Sequence, residues 1–567
     1  MRFFSRRRRA GRNTEIAPEE IFLDASNSPA FDRARFEGRL ERPLRVATFW
    51  WLGATLGVIF LILVARAFQL EVLDGGTFAA ESARNSLAKE TLFAQRGVIE
   101  DRNGVVLAEN MELANGDIRR EYPIPGMGQV IGYVSYPKKD ANGNYYDTAE
   151  VGLAGLEAEY DAQLSGVNGE VLVERDALGA VRSQGVVVPA KQGATLRLSL
   201  DADLEKKFAQ AVADTAQKDG FEAGAGVIMD VHTGGVAAIV SYPSYDPNVM
   251  SLGQPAATIA LYNSDAGHPF LDHAVQGVYT PGSIVKPFEA AGALTDGIIT
   301  PSTIIDDPGV LSVPDPYHPG KSFIYTGWKA LGLVNVEKAI AWSSDVFFYT
   351  VGGGNGAQKG LGIDRLDYWY RAFGLGHTTG IDLPGEAAGV VPSPSWKEAT
   401  FGEPWYLGDT YHTAIGQYGT QVTPVQMACA TAALANGGTL LTPTLLTGQK
   451  PRGTAVPVNV SDLAVVRAGM RDGVTSALAQ AIHLPYLAVA AKTGTAQVGT
   501  RNQFDNSWVE GFFPYQNPEY SFAVVLERGP SGSGEDAVNV MQELFDALHA
   551  EGSAYVGGVG IATSTTP

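Results

Sequence analysis

An uncharged run of 19 residues, Val46 to Val64 (VATFWWLGATLGVIFLILV), constrains this chain more than any other stretch. As a helix rising about 1.5 Å per residue, such a run crosses the roughly 30 Å hydrocarbon core of a bilayer. Trp50 and Trp51 stand near its start and Arg66 just past its end, where interfacial anchors belong. Residues 1–45 hold eleven Arg against seven Asp or Glu. The positive-inside rule therefore keeps that tail in the cytoplasm and sends everything after the span across the membrane. A cleaved signal peptide is the rival, because Ala65-Arg66-Ala67 resembles a cleavage site, but both the apolar run and its leader are too long for one. The expectation is a retained anchor over residues 46–65.

The rest of the 567 residues is too long for one core, so two or more domains are expected. A net charge of −19 argues against a nucleic-acid partner. The single cysteine, Cys429, excludes an intrachain disulfide and a cysteine-based metal cage. It sits in an apolar helical stretch and reads as a buried, inert thiol. A long exported part without disulfides fits a bacterial protein.

Residues 66–200 alternate short strand-like runs with Gly and Asn turns. Arg96 to Ala108 reads as a hairpin around Asn103-Gly104. Gly166 to Val173, followed by Asp176-Ala177-Leu178-Gly179, reads as a second one. Nothing here looks catalytic, and a mostly β spacer is expected. Residues 201–552 begin with an amphipathic helix (202–217) and a hairpin (226–240). Helical material is expected over about 283–440, then strands at 487–498, 507–513 and 520–527 and a helix at 535–550. Strands separated by a helical insert indicate an α+β layer fold. Residues 553–567 form a Gly/Ser/Thr tail expected to be disordered.

Within that second domain, Tyr279-Thr280-Pro281-Gly282-Ser283-Ile284-Val285-Lys286 is a Pro-Gly turn opening a helix. Ser283 and Lys286 then share a face, an arrangement suited to a serine nucleophile with a lysine base. A lysine acts as a base only when neutral, and burial or the helix dipole favours that form. The pattern alone is weak, and Ser86 with Lys89 repeats it without companions. Two clusters follow in order: Ser343-Ser344-Asp345 after a short helix (336–342), and Lys492-Thr493-Gly494-Thr495 inside a strand. A cation and two hydroxyls on one strand make a carboxylate receptor, and Gly494 lets a substrate backbone lie against the edge.

With YTPGSIVKP (279–287), SSDVFFY (343–349) and KTGTAQ (492–497) in this order, the chain resembles the class B penicillin-binding proteins. The likeness runs from about residue 44 to 550 and takes in RGVIEDRNGVVLA (96–108), SYPSYDPN (241–248) and SWVEGFFP (507–514). Within the class it is most similar to the elongation (rod-shape) type, on GIDRLDYWYRAFGLGHTTGIDLPGE (362–386), PWYLGD (404–409) and GQYGTQVTPVQMA (416–428). Asp345 replaces the Asn common in the wider family and reads as a subtype mark. The stretch between Asn110 and Arg119 is short, so the usual head subdomain is mostly missing. Some relatives hold a metal near the second motif. Position 344 is Ser and 329–335 has no His, so no metal site is carried over, and no cofactor is implied.

The resemblance implies a penicillin-binding transpeptidase (serine β-lactamase-like) domain: an antiparallel sheet with a helical subdomain, over residues 201–552. It follows a juxtamembrane pedestal, or dimerisation-like domain, over 66–200. It also implies peptidoglycan D,D-transpeptidase activity in cell-wall elongation and cell-shape maintenance, with β-lactams as inhibitors. In that scheme Ser283 attacks a D-Ala-D-Ala stem peptide, Lys286 is its base, and Ser343 bonds both lysines and passes the proton to the leaving D-Ala. Asp345 holds Lys286 and the substrate amide, although its charge raises the lysine's pKa relative to an Asn. Lys492, Thr493 and Thr495 bind the terminal carboxylate, beside Gly494. The backbone N–H groups of Ser283 and Thr495 form the oxyanion hole. Implied partners are stem peptides, a SEDS-family glycosyltransferase and other elongation-complex membrane proteins. Three rivals share some of these features: a catalytically silent scaffold for that glycosyltransferase, a D,D-carboxypeptidase or β-lactamase-type hydrolase, and a Ser-His-Asp hydrolase using His273. No G-x-S-x-G elbow supports the last, and His273 is expected to pack or cap.

Overall fold

The computed structural model describes residues 46–79, 87–113, 118–141, 145–175, 181–315, 318–532 and 536–557. The basic tail (1–45), Ser86, the turn at 176–179 and the last ten residues of the tail lie outside them. The chain forms two compact units: residues 1–88 with 173–183, and residues 89–172 with 184–567. The first contains helix α1 (Val46–Phe68), with no buried residue and one basic residue, Arg66, in its last turn. It is long and apolar enough to cross a membrane.

Strands β1 (Ile99–Glu100) and β2 (Val106–Glu112) form the expected antiparallel hairpin, with Ile99 opposite Ala108. The Asn-Gly pair does not close it alone. Asp101 Oδ1 accepts from the backbone N–H groups of Asn103 and Val105 at 2.7 and 2.8 Å, a side chain standing in for the ladder. Strands β3 (Ile118–Glu121) and β4 (Leu196–Arg197) complete a four-stranded sheet in the order β4-β1-β2-β3. Nearby, Arg96 and Arg120 clasp Glu157, all three side chains being almost wholly buried.

Helix α2 (Ala202–Asp219) is capped by Asp201, whose side chain accepts from the N–H groups of Asp203 and Leu204. Strands β5 (Ala223–Asp230) and β6 (Val236–Tyr242) follow. The insert carries a 3₁₀ turn (Gly282–Val285) leading into α3 (Lys286–Thr295), then α4 (Val336–Ala341), α5 (Asp345–Gly353), α6 (Pro424–Ala435) and α7 (Val460–Ser476). The chain returns as β7 (Ala490–Val498), β8 (Phe504–Phe513) and β9 (Tyr520–Pro530), and ends in α8 (Asp536–Ala550). The five strands form one antiparallel sheet in the order β6-β5-β9-β8-β7.

Alternation along β8 assigns its two faces. Val509 and Phe513 join Phe208 of α2 and Leu544 and Phe545 of α8 in one core. Trp508 and Phe512 join α3, α5 and α6 in the other. Each large apolar side chain buried this way stabilises the fold by roughly 1.5–3 kcal/mol. The result is an α+β sheet covered on both faces. One expectation needs correction. The described residues of 305–334 are not helical but form two small β pairs, Ile305–Asp307 with Gly332–Val334 and Val310–Pro314 with Ser322–Thr326. Pro308, Pro314, Pro316 and Pro319 remove helix donors along this stretch.

Candidate active site

Ser283 lies in the 3₁₀ turn, half-buried, on the wall of a cleft of about 790 Å³. The turn presses against β7. Gly282 has φ +58°, and a Cβ there would come 2.6 Å from the Thr495 carbonyl oxygen, so only glycine fits. Gly494 meets the turn from the other side, with a Cβ position 2.8 Å from the Pro281 carbonyl oxygen. Read from sequence as clearance for a substrate, Gly494 is in the structure the residue that lets the Ser283 turn dock on the strand.

Lys286 begins α3, fully buried behind the cleft. Its Nζ donates to the Ser343 carbonyl oxygen (2.9 Å), Ser343 Oγ (3.1 Å) and Asp345 Oδ1 (2.6 Å). An ammonium has three N–H donors, so this set is complete. Asp345 is itself held by the Trp328 N–H, which donates to Oδ2 at 3.2 Å. Ser343 adopts φ +56°, a left-handed conformation that costs a non-glycine residue of order 1–3 kcal/mol. Both of its oxygens meet Lys286, and that contact over-determines the strained backbone. Ser344 caps α5 by accepting from the Phe347 N–H, and its hydroxyl donates to Asp307 at 2.5 Å. The small β pairs therefore anchor the second motif.

Lys492 on β7 is also buried, and its Nζ donates to the Thr493 carbonyl oxygen at 2.6 Å. Thr493, Gly494 and Thr495 line the cleft with Ser283, Ser343 and Asp345. The structure thus gathers around one cleft three motifs separated by up to about two hundred residues in sequence. Other lining residues escaped the sequence reading: Thr326 and Trp328 from the β-paired segment, Tyr349, His412 and Tyr418. Burial lowers His412 below the ordinary histidine range, and Asp409 opposes that shift. PWYLGD and GQYGT held the signal for the last two: Asp409 accepts from Lys397 and the Tyr406 N–H at 2.7 Å each, which fixes the segment carrying His412.

Two buried carboxyls lie close to the lysines. Glu289 is one turn beyond Lys286, and neither of its carboxyl oxygens has a hydrogen-bond partner among the described residues. Glu510 on β8 stands opposite Lys492; one carboxyl oxygen accepts from Thr431 Oγ1 at 2.8 Å, and the other has no hydrogen-bond partner among the described residues. Burial pushes both well above the ordinary carboxylate range, and the neighbouring lysine opposes the shift in each case.

His273 is buried, with Nδ1 2.6 Å from the Tyr279 hydroxyl and Nε2 2.8 Å from the Gly267 carbonyl oxygen. Both ring nitrogens are engaged, which leaves no base for a Ser-His-Asp arrangement. Cys429 is buried in α6, and burial pushes its thiol up. No cluster of metal-ligating side chains is present among the described residues.

The family described as penicillin binding protein transpeptidase domain matches residues 224–546. The chain belongs to this family. A second family, penicillin-binding protein dimerisation domain, matches residues 113–198. Escherichia coli (strain K12) peptidoglycan D,D-transpeptidase MrdA is 31% identical over 612 aligned residues, covering 88% of this chain and 93% of that protein. Among solved structures, a peptidoglycan synthase complex that coordinates polymerisation and crosslinking contains a chain similar at TM-score 0.70 and 27% identity, covering 92% of this chain and 100% of that one. Helicobacter pylori PBP2 in complex with MreC is similar at TM-score 0.68 and 27% identity, covering 82% and 99%.

Proposed function

We propose that this penicillin-binding transpeptidase is a peptidoglycan D,D-transpeptidase of cell-wall elongation, working through a serine acyl-enzyme. The observation that carries the reading is the buried Lys286 ammonium, its three donors on Ser343 and Asp345, directly behind a cleft that presents Ser283.

Of the three acceptors on Lys286, the Ser343 hydroxyl is the one that both donates and accepts in its neutral form, which suits it to relay a proton to or from Lys286. In the first half-reaction the Ser283 oxygen bonds to the penultimate D-Ala carbonyl carbon of a stem peptide, and its proton passes to neutral Lys286. The carbonyl oxygen becomes an oxyanion held by the Ser283 and Thr495 N–H groups, an effect worth about 3–4 kcal/mol per donor elsewhere. The C–N bond to the terminal D-Ala breaks as Ser343 relays the proton from Lys286 to the leaving amine. In the second half-reaction an amine of another stem attacks the ester, its proton returns by the same path, and Ser283 is released with a peptide cross-link formed. Lys492, Thr493 and Thr495 receive the terminal carboxylate, and Asp345 orients Lys286 and the substrate amide.

In this reading residues 46–65 anchor the protein in the bacterial cytoplasmic membrane. Residues 1–45 stay in the cytoplasm, 66–200 form a pedestal, and 201–552 catalyse outside the cell. The MreC complex and the synthase complex of relatives support partners in kind: a SEDS-family glycosyltransferase and scaffold proteins of the elongation machinery. The experiment is the intact mass of the full chain in detergent with a penicillin, followed over hours beside Ser283→Ala. A long-lived single adduct on the wild type alone is expected. A rapidly vanishing adduct would indicate a hydrolase, and none at all a scaffold.

A further inference from the structure

Glu510 is the unexplained group in this site. In the β7-β8 register Lys492 and Glu510 are direct cross-strand partners, so their side chains leave the same face with Cβ atoms about 5 Å apart. Both are buried, at 2% and 0% exposure. One carboxyl oxygen accepts from Thr431 on α6, and the other has no hydrogen-bond partner among the described residues. A buried acceptor left unmade costs about 1–3 kcal/mol. Apolar residues flank Glu510 at Val509 and Gly511 and face it from β9 at Ala523, so a β-branched residue would suit the position better.

We propose that Glu510 is a positioning residue for Lys492, the two forming one titrating pair whose single positive charge receives the substrate's terminal carboxylate. The inference rests on the transpeptidase reading, which assigns the carboxylate to Lys492. With both groups protonated the pair carries +1. Losing one proton, from either atom, leaves the pair neutral and removes the charge the substrate meets. That first loss comes at lower pH than an isolated Lys492 would show, because the carboxyl offers a second route to it. Burial raises Glu510 well above ordinary carboxylates, which favours its neutral form, and the Thr431 hydrogen bond and the Lys492 charge oppose that shift.

Of the other titratable groups on the elements packed on this face, Glu289 on α3 is a second buried acid without a hydrogen-bond partner among the described residues, and burial raises it as well. On α7, Arg467 donates to the Ala435 and Tyr515 carbonyl oxygens, and Arg471 to that of Val489. Cys429 on α6 points its sulfur at Met229, 3.9 Å away. Lys286, beyond the nucleophile turn, is bound to Asp345. Helix α8 covers the opposite face of the sheet.

The test measures acylation rates of the full chain in detergent with benzylpenicillin and with its uncharged carboxamide analogue, from about pH 6 to about pH 10. The ratio of the two rates isolates recognition of the carboxylate from activation of Ser283. In the wild type this ratio should fall on the alkaline side. Glu510→Gln should move the fall upward by about one pH unit, a roughly tenfold higher ratio than wild type at the same alkaline pH. Thr431→Val, which removes the donor that favours the carboxylate, should move it the same way by less, and serves if Glu510→Gln fails to fold. Superimposed ratios in wild type and variant would overturn the pair, as would equal slowing with both probes, which marks a packing role. Absence of any adduct on the wild type would instead overturn the transpeptidase reading, and the inference with it.

Discussion

Two buried acids in the same compact unit are treated in opposite ways. Glu157, in the region after the membrane span, is wholly buried and accepts from Arg120 Nε at 2.7 Å and Arg96 Nε at 2.5 Å. Arg96 also donates to the Glu157 carbonyl oxygen at 2.7 Å and pairs with Asp161 at 2.7 Å. Glu289, in the transpeptidase domain, is equally buried and has no such partner among the described residues. The first arrangement spends desolvation on a clasp in which two guanidinium groups meet Glu157 and Asp161, with Arg120 Nη2 left without a hydrogen-bond partner among the described residues. The second leaves Glu289 without a hydrogen-bond partner among the described residues, one turn from Lys286, whose own three donors go to Ser343 and Asp345. One region answers a buried acid with guanidinium groups, and the wall of the cleft does not.

The comparison breaks first, if it is wrong, at Glu157. Glu157→Ala strands two buried guanidinium groups and should cost about 3–5 kcal/mol in denaturant unfolding. A loss below about 1 kcal/mol would mean water reaches the cluster and the contrast with Glu289 is false.

Asp345→Asn tests the front of the site. Replacing the carboxylate 2.6 Å from the buried Lys286 by an amide removes an ion pair and should cost about 3 kcal/mol in denaturant unfolding. A loss below about 1 kcal/mol would show that the two Ser343 oxygens suffice to hold Lys286.

Glu289→Gln should sharpen the contrast through the pH dependence of stability. Burial raises the folded carboxyl well above its unfolded value, so the folded state holds a proton the unfolded state has lost. Stability is full below the unfolded pKa and falls as pH rises toward the folded one, by about 1.4 kcal/mol per pH unit. The glutamine variant should lose that slope and be the more stable protein at pH 8, while differing little at pH 4. Parallel slopes for the two proteins would place an unseen partner on Glu289.

The smallest effect belongs to the surface. Lys89 and Glu170 pair at 2.9 Å with both side chains largely in solvent, and Lys89→Ala should change stability by less than about 0.5 kcal/mol. A larger change would mean that paired and unpaired charges do not sort by burial in this fold.

Much of the site was legible because its signals are local. The Pro-Gly turn before Ser283, the helix that carries Lys286 and the strand broken at Lys492 to Thr495 all follow from neighbouring residues. The segment at 305–334 was not, although its prolines argue against helix. Its contribution comes through distant contacts, Asp307 to Ser344 and the Trp328 N–H to Asp345. Gly494 was read as clearance for a substrate backbone, whereas the group that the fold brings against it, the Pro281 carbonyl, belongs to a turn about two hundred residues earlier.

By itself, the sequence determined the membrane-spanning run, the α+β class, the order of the three motifs and the residue types available for catalysis, since each rests on short-range periodicity, turn chemistry or composition. Only the tertiary structure decided which acid meets which base. Glu157 and Glu510 look alike in sequence, each an acid among apolar neighbours. One folds against two arginines, and the other falls opposite Lys492 through a strand register with a single hydroxyl for company. Charge states in a protein interior are set by such non-local partners at distances of a few ångströms, and a linear chain does not carry those distances.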